Sequence, residues 1–127
     1  MINQFKMTNM DWMGYTLIKG EEFDYHHIEK KCEGGRLTIA NGAILVRGVS
    51  HPYIHTIELK DPDMFIYLNR ILKCINAQRH MPTEKQLDLI DDVLTSFERE
   101  YSGKTFNSGN PIVKEEYVKR RLYRWAT

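Results

Sequence analysis

Between Phe23 and Lys60 the sequence leaves room for two short strands and then a helix. In "EFDYHHI" the aromatic residues Phe23 and Tyr25 recur at period two, which suits a half-buried pleat. "EKKCEGGRLT" reads as a loop that turns on Gly34-Gly35. Asn41-Gly42 then turns the chain into "NGAILVRG", a short apolar run bracketed by glycines, which reads as a second strand. In "SHPYIHTIELK" the pattern becomes helical. Ser50 is placed to cap free backbone N–H groups, and Pro52 fits a first turn, where its missing donor costs nothing. Residues 11–19 read as a short strand or turn leading into this unit.

Two longer helices follow. "DPDMFIYLNRILKCINAQRH" opens with Asp61 as cap and Pro62 in the first turn, and Phe65, Leu68, Ile71, Leu72 and Ile75 form a stripe at helical spacing. In "TEKQLDLIDDVLTSFEREY", Thr83 and Gln86 stand three apart as in a capping box, and Leu87, Ile90, Leu94 and Phe97 form the apolar face. Both stripes are read as core. The expected class is α+β, with the strand–strand–helix unit at 11–59, a helical hairpin at 61–102, and a loop with a basic end at 103–127. At 127 residues this is one domain, with enough chain for a core that needs no staples.

Net charge is only +1, so overall charge does not announce nucleic acid. The last fifteen residues, "VKEEYVKRRLYRWAT", nevertheless gather Lys114, Lys119, Arg120, Arg121 and Arg124 around Tyr117, Tyr123 and Trp125. Clustered cations neutralise phosphates and aromatic rings stack on bases, although a solvated end explains the same composition. Cys32 and Cys74 form no CxxC pair, which excludes a zinc ribbon and gives no support for a disulfide framework. No apolar run approaches the roughly 20 residues of a membrane span, so a soluble, cytoplasmic setting is expected.

Four of the five histidines lie between Tyr25 and His55: His26 and His27 at the end of the first strand, His51 and His55 along the helix. His80 lies apart, between the two long helices. Histidines at i and i+4 share a helix face and can chelate one transition-metal ion, and a third imidazole from the strand end would complete a three-ligand site. Three protein ligands leave positions open for water or substrate. A fourth, unligated histidine could serve as general base at neutral pH.

In residue order and type, "DYHHI", "IANGAIL" and "SHPYIH" resemble the HNH endonucleases and their ββα-metal motif, in the histidine-rich form of the colicin-type members. The likeness spans residues 25–58, and the flanking "DWMGY" and "SFERE" are similar to small stand-alone bacterial HNH proteins. It implies that His26, His51 and His55 hold a metal ion, that His27 is the general base activating water, and that Asn41 orients it. Lys30, Lys31, Arg36 and Arg47 in and near the loop, with Lys119, Arg120, Arg121 and Arg124 at the basic end, are the expected nucleic-acid contacts. Two features depart from the family pattern. The paired CxxC knuckles of many members are missing, and the first ligand is His rather than Asp, which favours zinc, nickel or manganese over magnesium.

The expected function is therefore a metal-dependent phosphodiesterase acting on nucleic acid, with DNA the expected substrate. It would use one divalent ion (zinc, nickel, manganese or magnesium) and act alone, as a homodimer or within a larger defence or phage complex. The alternative is a catalytically inactive nucleic-acid-binding or interaction module whose metal is structural zinc.

Overall fold

The computed structural model describes residues 10–28, 42–78 and 81–121. Strand β1 (Phe23–His27) pairs antiparallel with β2 (Gly42–Val46). In this register Phe23 lies opposite Val46, His26 opposite Ala43 and His27 opposite Gly42. Four helices follow: α1 (Ser50–Lys60), α2 (Pro62–Gln78), α3 (Glu84–Tyr101) and the single-turn α4 (Glu115–Lys119). The described residues are thus mixed α+β, with a two-stranded sheet and four helices. None of these helices is long and apolar enough to cross a membrane.

The caps explain most of the boundaries. Asp61 ends α1 by donating its backbone N–H to Ile57 O (2.8 Å), and its Oδ1 starts α2 by accepting from Met64 N (3.1 Å). At the start of α3, Gln86 N donates to Thr83 Oγ1 (3.2 Å) and Thr83 N to Gln86 Oε1 (2.9 Å), the reciprocal pair expected of a capping box. Gly103, just beyond the end of α3, has φ +84°, a left-handed conformation that glycine adopts without steric cost.

Ser50 does not cap α1. Val49 holds the cap position with no side-chain bond, and Ser50 is already helical. Its hydroxyl accepts from Val46 N (2.8 Å) and donates to Asp11 Oδ2. Asp11, 1% exposed, also accepts from Met13 N (2.8 Å), Tyr15 N (2.9 Å) and Val46 N (3.0 Å). One buried carboxyl therefore binds the 11–15 turn, the end of β2 and the start of α1 into one unit. Burial outweighs these four bonds and pushes its pKa up to about 6.

The core is continuous from the sheet to α3. Ala43, Leu45 and Val46 pack with Tyr53, Ile54 and Ile57 of α1, and these with Leu68, Leu72 and Ile75 of α2 and Ile90, Leu94 and Phe97 of α3. The segment after α3 is not a linker. Ile112, Val113 and Tyr117 are buried in the same core, the Tyr117 ring stacks on Tyr53 at 4.4 Å between centroids, and Tyr15 bridges to Arg121.

Candidate metal centre

The Asp11 clamp holds β2 to α1, and β1 is paired with β2, which brings three histidines together. His26 comes from β1, and His51 and His55, one turn apart, from α1. One ring nitrogen from each lies within 4.8 Å of the other two. Ring centroids are separated by 5.6 Å (His26–His51), 5.4 Å (His26–His55) and 5.0 Å (His51–His55).

The outer nitrogens of the two helical histidines are each held by a carboxylate. His51 Nδ1 lies 2.9 Å from Asp24 Oδ2, and His55 Nδ1 lies 3.2 Å from Glu58 Oε1. Asp24 also accepts from Arg47 Nε (2.7 Å). Partial burial works to raise Asp24, but the His51 and Arg47 bonds outweigh it and hold it below the usual carboxylate range. An ionised carboxylate can only accept, so Nδ1 of His51 donates to Asp24, and Nε2 is the nitrogen turned to the cluster. His55 Nδ1 is likewise turned to Glu58.

His51 Nε2 and His55 Nε2 then face each other at 3.2 Å. A separation of 3.2 Å between two ring nitrogens calls for a proton or a metal ion between them. Nitrogens each about 2.05 Å from a tetrahedral zinc would stand about 3.3 Å apart. His26 Nε2 is a buried side-chain nitrogen with no hydrogen-bond partner. Burial, followed by the neighbouring His55 and His51, pushes its pKa down to about 4, so the ring is neutral at physiological pH and its lone pair is available. Three converging imidazoles, one of them with an orphaned buried nitrogen, suit a divalent transition metal. His26 closes the back of the site at 3% exposure, while the His55 side chain, 49% exposed, leaves the front open to solvent.

Of the two expected catalytic residues, His27 is described only through its backbone, paired with Gly42, and Asn41 lies outside the described residues. Lys30, Lys31, Arg36 and Arg124, together with Cys32 and His80, also lie outside them. The other expected phosphate contacts all face carboxylates of the chain itself. Arg47 is exposed but paired with Glu22 and Asp24, and Lys119 pairs with Glu115. Arg120 makes two 2.6 Å bonds to Glu21.

Arg121 requires a correction. Its side chain is 0% exposed, forked onto Glu98, with Nε donating to Asp91 at 2.9 Å, so it braces the core and cannot reach a phosphate. The run "KRR" gave no sign of this, because charge runs usually lie on solvated faces. Asp24 and Glu58 were legible but unread. Asp24 shares a strand face with His26 by its two-residue spacing, and Glu58 follows His55 by three on one helix face. No family model, curated protein or solved structure matches the chain.

Proposed function

We propose that the protein is a metal-dependent nuclease of the HNH type, in which a ββα-metal unit hydrolyses phosphodiester bonds in nucleic acid, DNA being the expected substrate. The observation that carries this reading is the three-histidine cluster, with its carboxylate partners behind and one side open. His26, His51 and His55 hold the ion, and Asp24 and Glu58 orient the two helical rings. The bound ion supplies positive charge for the scissile phosphate and the departing oxygen. His27, the next residue on β1, takes the proton of the attacking water, and Asn41 holds its ring in the required orientation. Arg47, linked to the site through Asp24, contacts the substrate phosphate.

A second reading, a non-catalytic nucleic-acid-binding or interaction module with structural zinc, is favoured by one observation: Arg47, Lys119, Arg120 and Arg121 are each paired with carboxylates of the chain. Against it stands the exposed side of the cluster, since a closed structural site takes four protein ligands. Nicking of supercoiled plasmid separates the two. Metal-stripped protein is re-supplied in turn with magnesium, manganese, nickel and zinc, with His27→Ala beside it. Metal-dependent nicking that the variant loses while still binding the ion supports the nuclease. Tight metal binding with plasmid and single strands left intact supports the structural reading.

A further inference from the structure

A groove of ≈ 470 Å³ opens between α2 and α3. On α2, Tyr67 follows Asp63 and Met64 by four and three positions; on α3, Asp92 and Val93 follow Leu89 by three and four. Each set shares one helix face. The floor is apolar. Val93 is buried and Met64 packs against the core, while Tyr67 and Leu89 remain 48% and 38% exposed. Large apolar side chains grouped in a groove and ringed by polar ones are the usual anchor points of an interface.

The rim is acidic. With Asp61 at the start of α2, the lining holds three carboxylates and no cation. Surface charges elsewhere on the chain are paired, as in Arg47 with Glu22, Lys119 with Glu115 and Arg120 with Glu21. Asp63 and Asp92 form no ion pair among the described residues. Nor do these carboxylates converge on one point, because the histidine cluster is the one group among the described residues placed to hold a metal ion. Negative charge spread along a groove repels a phosphate backbone and complements cations spaced along a peptide.

We propose that the α2–α3 groove docks a partner protein through a basic amphipathic segment. Its apolar side chains seat on Tyr67, Leu89 and Val93, and its lysines or arginines face Asp61, Asp63 and Asp92. A helix laid in a groove presents such anchors at i, i+3, i+4 and i+7. None of the groove residues belongs to the histidine cluster, so docking goes beyond the nuclease reading and holds whether or not an ion binds there.

The test uses two short fluorescent peptides with leucines at i, i+3, i+4 and i+7, one flanked by lysines and the other by glutamates. Each is titrated by anisotropy against the full chain at low salt, and 1H–15N NMR maps the residues contacted. The lysine peptide is expected to bind, to weaken as salt rises, and to perturb amides of α2 and α3 along the groove. Tyr67→Ala should weaken it about 10-fold. The double variant Asp63→Lys, Asp92→Lys should turn the preference to the glutamate peptide. All three positions are exposed, so these variants keep the fold. No binding, or equal affinity for the two peptides, overturns the proposal. So do amide perturbations confined to other faces, or unchanged binding by Tyr67→Ala. Self-association in sedimentation that Tyr67→Ala abolishes would make a second copy the occupant and overturn it too. Nuclear Overhauser contacts from Tyr67 or Leu89 to residues 122–127 in the free chain would do the same in favour of the C-terminal segment.

Discussion

His51 Nε2 and His55 Nε2 face each other at 3.2 Å, while their Nδ1 atoms are turned outward to Asp24 and Glu58. A helix face presenting two inward ring nitrogens is suited to a cation, and ligand binding to the native state adds stability by mass action. At a free zinc concentration about 100 times the dissociation constant the gain is ~2.7 kcal/mol. Thermal unfolding with and without zinc is therefore expected to show a clear upward shift for wild type. His51→Ala, which breaks the pair, should lose most of that shift while the metal-free protein unfolds nearly as before. An equal shift in the variant would place the ion elsewhere.

Asp24 connects the site to the surface, accepting from His51 on one oxygen and from Arg47 on the other. Asp24→Ala frees the His51 ring to rotate and to exchange tautomers, and metal affinity should fall by about 10–100-fold. Arg47→Ala removes only the outer partner of Asp24, so it should reduce metal affinity much less. Competition titrations of both variants check the order. A larger loss for Arg47→Ala would mean that the guanidinium, not the carboxylate, organises the ring.

Arg121 separates the structural cations from any that meet a substrate. Its bonds to Glu98 are buried and its bond to Asp91 partly so, and Tyr53 also donates to Glu98 at 2.8 Å. Burial works to lower Arg121, but the Glu98 bond and charge outweigh it and keep the group charged at any ordinary pH. Removing one member of a buried pair leaves the other uncompensated, so Arg121→Met is expected to destabilise the fold by about 3–5 kcal/mol. Denaturant unfolding measures this loss. The salt dependence of any nucleic-acid binding by protein that remains folded should be unchanged. A decreased salt slope without destabilisation would return Arg121 to the surface.

The elements were legible where the local chemistry decided them. Glycine brackets marked β2, and the Thr83–Gln86 box and the Asp61-Pro62 start marked their helices. The histidine spacing brought His26, His51 and His55 together because strand ends and helix faces follow fixed periods. Long-range polar contacts left no such trace. Asp11 bonds to Ser50 from 39 positions away, Arg121 reaches Glu98 and Asp91 across the core, and Asn69 meets Ile28 only once α2 is packed. Ser50 was misread for this reason: a serine before a helix usually caps it, but here a buried carboxyl competes for the hydroxyl.

Burial of His26 contributes an acid-sensitive part to the stability of the metal-free fold. Its pKa drops from 6.5 to about 4 on folding, because burial and the two neighbouring imidazoles disfavour the charged ring. Above pH 6.5 the ring is neutral in both states and its contribution to stability is complete. As pH falls from 6.5 toward 4, the unfolded chain takes up a proton that the native state refuses, and stability declines. Below 4 both states are protonated and the loss levels off. A depression of this size corresponds to ~3 kcal/mol. Asp11 works in the opposite sense, since a pKa raised to about 6 adds stability as pH falls through that value. The two contributions partly offset each other in wild type, so the measurement is a difference. Urea unfolding of metal-free wild type and His26→Leu at several pH values leaves the Asp11 contribution common to both. Subtracting the curves should give a decline confined to the interval between pH 6.5 and 4. A flat difference would mean that the His26 ring is open to water, and with it the enclosed back wall of the metal centre would be lost.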